Sequence, residues 1–161
     1  TVTGVQTCAL PISLTYTAGA NGSISGTATQ VVVQGANGTA VTAVPNTGYH
    51  FTTWSDSTTN NPRQDMSVNT NISVTASFAI NQYTLTYTAG TGGSISGAAT
   101  QTVNHGANGT AVSALVTTGY YFSAWSDGVV TSNRRDTSVT GNIMMPLAAM
   151  PVCQNSDAPA G

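Results

Sequence analysis

An internal repeat constrains this chain more strongly than any other feature. Leu14–Gly19 recurs as Leu85–Gly90, and later matches keep the same offset of 71 residues. The ungapped correspondence extends to Asn71-Ile72 in the first copy and Asn142-Ile143 in the second. Two tandem copies of one small module therefore make up most of the chain.

The composition argues against helical modules. The chain has no Lys and no Glu, and charged residues make up only 5% of it, whereas Thr, Ser and Gly are abundant. With a formal net charge of −2, it lacks the basic surface that binding to nucleic acid or an anionic membrane requires. No apolar run reaches the length of a membrane span. We expect a mostly β fold of two tandem small β modules, β-grasp-like or a small all-β sheet, with little or no helix.

Apolar residues recur with a period of two, which is typical of half-buried strands. The clearest strand covers residues 72–80, where Ile, Val, Ala and Phe alternate with smaller or polar residues. In the segment before it, Tyr49 and Phe51 should face inward, while His50 and Trp54 should point to the opposite face. Each copy therefore reads as several short strands.

Three Asn-Gly dipeptides lie between the predicted strands, at Asn21-Gly22, Asn37-Gly38 and Asn108-Gly109. Asn-Gly tolerates the positive φ angles of a tight hairpin turn, so each is predicted to be such a turn. The last two dipeptides are each followed by Thr, which completes a glycosylation triplet, but the turn explains them better.

The two ends differ from the repeats. Residues 1–13 resemble a translated sequencing adapter, and we interpret them as a non-native adapter-derived segment. The expected chain is then a fragment whose true N-terminus is missing. Cys8 and Cys153 both lie outside the repeats, so we predict no native disulfide.

The second copy loses the alternating pattern after Ile143. Pro146 stands where the first copy has Thr75, and proline cannot donate to a sheet ladder. We expect that the second copy lacks its closing strand. The predicted organisation is repeat 1 at 14–81, repeat 2 at 82–143, and a disordered or foreign tail at 144–161.

The order of short motifs resembles the divergent internalin B-repeat family, which is related to the Listeria-Bacteroides repeats. The segment Gly-Tyr-x-Phe-x-x-Trp, at Gly48–Trp54 and Gly119–Trp125, is the most specific part of the resemblance. The resemblance covers Leu14 to about Ile143. It implies β modules arranged in series in bacterial surface or secreted proteins, and a β-grasp-like fold would add one short helix. No segment shows apolar residues at helical spacing, so the all-β alternative is favoured.

Charged residues recur at equivalent positions of the two copies: Asp56, Arg63 and Asp65 in the first, and Asp127, Arg134 and Asp136 in the second. They lie in no recognisable catalytic frame, and no nucleophile with an adjacent base accompanies them. We interpret them as turn residues or exposed ion pairs. We predict no catalytic residue and no cofactor or metal, and the sequence identifies no ligand-binding residue.

Metal binding has two weaker candidates. Asp56, Asn60, Asn61 and Asp65 could hold calcium, but the second copy replaces both Asn residues. A zinc site shared by the modules is disfavoured because neither histidine position recurs: His50 aligns with Tyr121, and His105 with Gln34. Both histidines are predicted to lie on the surface.

Trp54 and Trp125 allow two interpretations. An exposed indole would suit a sugar-binding platform, whereas a buried one would supply much of the core of a small module. The shortage of other large apolar residues favours the core.

The predicted function is a non-catalytic extracellular repeat module. It would act as a spacer or stalk in a larger bacterial surface or secreted protein, with neighbouring repeats of the same polypeptide as its partners. The short link Ala79–Gln82 would limit reorientation of the modules and favour a stiff rod. The alternative is an adhesion or carbohydrate-binding module with host or glycan ligands.

Overall fold

A computed structural model describes residues 10–152. The chain divides into two units between Ile80 and Asn81. The first contains β1 (Pro11–Ala18), β2 (Gly22–Ser25), β3 (Thr29–Val33), β4 (Thr42–Pro45), β5 (Tyr49–Trp54) and β6 (Ile72–Ile80). The second contains β7 (Gln82–Ala89), β8 (Gly93–Ser96), β9 (Thr100–Asn104), β10 (Val112–Val116), β11 (Tyr120–Trp125), β12 (Asn133–Arg134) and β13 (Ile143–Pro151).

The described residues form no helix, which confirms the all-β prediction against the helix-bearing alternative. Within this range there is accordingly no helical segment that could cross a membrane.

The first unit contains a mixed four-stranded sheet and a two-stranded sheet. The larger sheet has the order β3-β1-β6-β5, with β1 and β6 parallel at its centre and antiparallel strands outside them. The smaller sheet pairs β2 with β4. The second unit repeats the plan as β9-β7-β13-β11, accompanied by β8, β10 and β12.

The period-two pattern produces a separate core in each unit. In β6 the side chains of Val74 and Ala76 are buried, and the residues that alternate with them are exposed. Leu14, Tyr16 and Trp54 join them in the first core. In the second unit β7, the equivalent of β1, buries Leu85 and Tyr87 in the same way. Each repeat therefore has its own hydrophobic core.

The prediction that Trp54 faces away from Phe51 is wrong. A bulge in β5 falls between Phe51, which pairs with Phe78, and Thr53, which pairs with Ser77. The extra residue shifts the alternation by one, so Trp54 turns toward the core. Its ring centre lies 5.7 Å from that of Phe51.

The prediction that the second repeat lacks its closing strand is also wrong. β13 pairs with β7 from Ile143 to Leu147 and with β11 over its C-terminal half. Residues 144–151 of the predicted tail thus lie in the sheet, whereas residues 153–161 lie outside the described range. The period of two survives in β13, because Ile143, Met145 and Leu147 face inward.

The first repeat shows why Pro146 fits within β13. At the equivalent position the Thr75 N–H donates to the Ser55 hydroxyl at 3.1 Å, outside the backbone ladder. The Thr75 carbonyl accepts from the Ser55 N–H, and the Pro146 carbonyl accepts from the Ser126 N–H, both at 2.9 Å. Proline at this position therefore loses a side-chain contact but no ladder bond.

The N-terminal boundary also differs from expectation. Residues 1–9 of the predicted adapter segment lie outside the described range, together with Cys8 and, at the other end, Cys153. Residues 11–13 begin β1, and Ile12 is buried in the first core.

The prediction that Asn37-Gly38 and Asn108-Gly109 form hairpin turns is wrong. Gly38 is buried, and an added Cβ would lie 2.7 Å from Leu14 Cδ1. The Asn37 side chain accepts a hydrogen bond from the Ser67 N–H at 2.8 Å. Close packing and side-chain bonding therefore explain this dipeptide, and only Asn21 among the three asparagines has a positive φ, of 69°.

Candidate functional site

A buried arginine occupies the long connection between β5 and β6. The Arg63 side chain is only 8% exposed. Its guanidinium contacts both carboxylate oxygens of Asp65, with Nε–Oδ2 at 2.9 Å and Nη2–Oδ1 at 2.7 Å. Nη1 lies 2.7 Å from Asp56 Oδ2 and donates to the Thr58 hydroxyl at 2.8 Å. One arginine therefore pairs with two carboxylates.

Two aromatic residues complete this arrangement. The Tyr16 hydroxyl donates to Asp65 Oδ2 at 2.7 Å. Arg63 Cζ lies 5.5 Å from the centre of the Trp54 ring, within cation–π range. The Tyr16 and Trp54 rings meet edge to face at 6.1 Å. We call the five residues the arginine cluster: Tyr16, Trp54, Asp56, Arg63 and Asp65.

Local structure places each member of the cluster. Tyr16 lies at an inward position of β1, and the β5 bulge turns Trp54 toward it. Arg63 exchanges two backbone hydrogen bonds with Val41, at 2.8 and 2.9 Å. The connection between β5 and β6 is thereby held to Val41, the residue immediately before β4.

The second repeat contains the same cluster, formed by Tyr87, Trp125, Asp127, Arg134 and Asp136. Arg134 contacts Asp136 at 2.9 and 2.5 Å and Asp127 at 2.6 Å. The Tyr87 hydroxyl donates to Asp136 at 2.6 Å, and Arg134 Cζ lies 5.8 Å from the Trp125 ring centre. Val129 replaces Thr58, so this copy lacks the hydroxyl contact.

The cluster shifts the acid–base equilibria of its members. Hydrogen bonds from Arg63 lower the pKa of Asp65 below its ordinary value, although burial opposes the effect. Burial raises the pKa of Asp136, but hydrogen bonds from Arg134 and Tyr87 outweigh it and leave that pKa lowered. Burial, together with the hydrogen bond to Asp65, raises the pKa of Tyr16. The carboxylates are therefore held ionised and the tyrosine neutral.

Such groups suit structural rather than acid–base chemistry. A general acid or base needs a pKa near the working pH, whereas the shifts of Asp65 and Tyr16 are away from neutrality. The prediction of exposed ion pairs is wrong for Asp65, whose side chain is only 16% exposed. The Asp56 side chain is 37% exposed and accepts hydrogen bonds from the Thr58 N–H and hydroxyl, as expected of a turn residue. The Asp65 carboxylate contacts the Tyr16 hydroxyl and Arg63, and Arg63 in turn packs against the Trp54 ring.

The residues considered for calcium have other partners. Asp56 and Asp65 contact Arg63. The Asn61 amide bonds to both the N–H and the carbonyl of Ala43 at 2.8 Å, and the Asn60 carbonyl accepts from the Trp54 indole. Over residues 10–152, no group of three or more His, Cys, Asp or Glu is placed to hold a metal ion.

The histidines lie at unrelated places in the two units. His50 is exposed, as predicted. His105 is half-buried, which the surface prediction missed, and its ring centre lies 5.9 Å from that of Tyr83.

Both tryptophans belong to the cores. Trp54 is fully buried and Trp125 is 1% exposed, which confirms the interpretation as core residues. Their indole N–H groups donate at 3.0 Å to the carbonyls of Asn60 and Thr131, respectively. Neither ring offers a face to a sugar.

A second polar contact was not identified from the sequence. The buried Gln30 side chain donates to the carbonyls of Thr27 and Thr39 and accepts from the Thr39 N–H. Gln101 makes the equivalent bonds in the second repeat. Both glutamines occupy an inward position of a strand and are identical at the repeat offset, a signal that could have revealed them.

Comparison with known proteins identifies one family. The profile described as the divergent InlB B-repeat domain matches residues 12–82 and 83–155. No curated protein and no solved structure shows significant similarity to the chain.

Proposed function

Because the chain belongs to the divergent InlB B-repeat domain family, we propose that it is a non-catalytic spacer or stalk segment of a larger bacterial surface or secreted protein. The observation that carries this proposal is the link between the repeats. β6 ends at Ile80 and β7 begins at Gln82, so a single residue, Asn81, separates two strands. Its carbonyl accepts a hydrogen bond from the His105 N–H at 2.8 Å. A link this short restricts reorientation, as a spacer requires.

The use of charge in each repeat supports the same function. The four carboxylates of the two arginine clusters are paired with arginine, and both indoles are buried. The charged and aromatic side chains of the clusters thus stabilise the module. Because both tryptophans are buried, they cannot stack on a sugar. An adhesive role would therefore need a recognition surface elsewhere.

Small-angle scattering on the full chain tests the proposal, together with a tandem fusion of two such chains. A spacer predicts that the maximum dimension increases in proportion to the number of repeats. A glycan array on the same protein provides the competing readout. A compact fusion, or a specific glycan that binds the folded protein, would contradict the spacer function.

A further inference from the structure

The three Asn-Gly dipeptides of the chain differ in how the fold holds them. An Asn followed by Gly is chemically labile, because the unhindered glycine nitrogen can attack the asparagine side-chain amide. That reaction needs a free asparagine side chain and an accessible glycine N–H. The structure provides these conditions at one of the three sites.

Asn37-Gly38 and Asn108-Gly109 are held at both reacting groups. The Asn37 side-chain oxygen accepts from the Ser67 N–H at 2.8 Å, and the Gly38 N–H donates to the Asp65 carbonyl at 2.9 Å. The second repeat reproduces this arrangement: Asn108 accepts from Ser138 at 2.9 Å, and Gly109 donates to Asp136 at 2.9 Å. Gly38 and Gly109 are also buried.

Asn21-Gly22 lacks both restraints. Asn21 is exposed in the turn between β1 and β2, and its side chain has no hydrogen-bond partner within residues 10–152. The Asn21 carbonyl accepts from the Asn46 N–H at 2.9 Å. Gly22 and Pro45 therefore face each other at the next position of the ladder, where opposite residues exchange no hydrogen bonds. The Gly22 nitrogen is not occupied by the ladder.

The fold restricts the choice of residue at both positions of this pair in the first repeat. A Cβ at Gly22 would overlap the ring of Phe78, so only glycine fits there. Asn21 has a φ of 69°, a conformation that asparagine tolerates better than most residues. The second repeat has Gly92-Gly93 at the equivalent positions and so carries no side-chain amide.

We propose that Asn21 is a site of spontaneous deamidation in the folded protein, whereas Asn37 and Asn108 are protected. The Gly22 nitrogen attacks Asn21 Cγ and forms a succinimide; the Cγ–Nδ2 bond breaks, and ammonia leaves with the proton from Gly22. Water then opens the ring at either carbonyl and yields aspartate or isoaspartate. The product carries one additional negative charge, and isoaspartate also adds a methylene to the main chain of the β1–β2 turn.

Peptide mapping by mass spectrometry tests this proposal on the full chain, aged in mildly alkaline buffer. The same chain aged in denaturant gives the intrinsic rate at each asparagine. In the folded protein Asn21 should react at close to its denatured rate. Asn37 and Asn108 should react about tenfold more slowly than when denatured, or slower still, because their hydrogen bonds must first open.

Asn21→Gly is the matched variant, since it reproduces the Gly-Gly pair of the second repeat and retains a residue suited to positive φ. Ion exchange should show that acidic species accumulate in the parent chain and are lost in this variant, while denaturation midpoints confirm that both are folded. An intact Asn21 after ageing, or equal folded-state rates at the three asparagines, would overturn the proposal.

Discussion

Arg63 lies over the ring of Trp54, with Cζ 5.5 Å from the ring centre, while it pairs with Asp65 at 2.7 Å. The contact joins the connection between β5 and β6 to the residue that the bulge turns into the core. Arg134 and Trp125 repeat it at 5.8 Å. The arginine cluster is therefore part of the module's construction and recurs with it.

Loss of the buried arginine should destabilise its own repeat. Arg63→Met leaves Asp65 largely buried without its countercharge, and we expect a loss of about 3 kcal/mol in the free energy of unfolding. Arg134→Met should do the same in the second repeat. Chemical denaturation followed by tryptophan fluorescence measures both effects.

Arg135→Gln is the control for these variants. Arg135 donates to the Gly109 carbonyl at 3.0 Å, and Gln64 makes the equivalent bond to Gly38 in the first repeat. The substitution should change stability by less than about 0.5 kcal/mol. An effect as large as that of Arg134→Met would indicate that any lost positive charge destabilises the protein.

Acid should weaken the clusters. The folded-state pKa of Asp65 and that of Asp136 are lowered, so their contribution is present above the unfolded-state value of about 3.9 and is lost as pH falls through the folded-state values. Unfolding free energy measured against pH should decrease in this acid range. The double variant Asp65→Asn, Asp136→Asn should show a smaller decrease, and an unchanged slope would contradict the assignment.

Alkaline titration should reveal the two cluster tyrosines. Burial and the hydrogen bonds to Asp65 and Asp136 raise the pKa of Tyr16 and that of Tyr87 above the ordinary tyrosine value. This contribution to stability is complete below the unfolded-state pKa of about 10 and is lost as pH rises through the folded-state value. Absorbance titration of the folded protein should contain a late component that Tyr16→Phe with Tyr87→Phe removes. Retention of that component would refute the assignment.

One pair of core residues in the second repeat should function in place of its counterpart in the first. Leu147 and Ala149 replace Ala76 and Phe78, which moves apolar bulk two residues along the same face of the strand. Phe78→Ala alone should cost about 3 kcal/mol. Adding Ala76→Leu should recover part of this loss, because Leu147 covers Gly93 as Phe78 covers Gly22. Strictly additive effects in a double-mutant cycle would argue against this compensation.

Gly38→Ala should be destabilising, because the new Cβ would lie 2.7 Å from Leu14 Cδ1 and 3.1 Å from Gln30 Oε1. Overpacking of this kind typically costs about 1–3 kcal/mol. Gly141→Ala is the control, since its Cβ would meet no atom within 4 Å. Thermal unfolding of both variants measures the difference, and equal stability would mean that Gly38 is not required for close packing.

Regular periodicity made the fold predictable, and its local interruptions did not. The alternation along β6 identified its buried residues directly, and the shortage of large apolar residues indicated that Trp54 is buried. The bulge at Thr52 places Trp54 on the face opposite to the one predicted. The sequence pattern gives no sign of this one extra residue. The expected loss of the closing strand at Pro146 is wrong because the ladder does not use the N–H at that position.

The candidate site was predictable only in part. The recurrence of Asp56, Arg63 and Asp65 was visible in the sequence, but their burial was not, because it depends on the long-range approach of Tyr16 and Trp54. Tyr16 is 49 residues from its partner Asp65. A residue spacing alone does not indicate which strand a loop will cover.

The arginine cluster holds the connection between β5 and β6 to the rest of its own module. Amide hydrogen exchange on the full-length Arg63→Met variant tests it most directly. The backbone N–H of residue 63 donates to Val41, and that of Val68 donates to Ala36; both should lose protection from exchange. The amides of Arg134 and Val139 in the second repeat should be protected as in the parent. Unchanged protection at Val68, or equal loss in both repeats, would show that the cluster does not hold this connection.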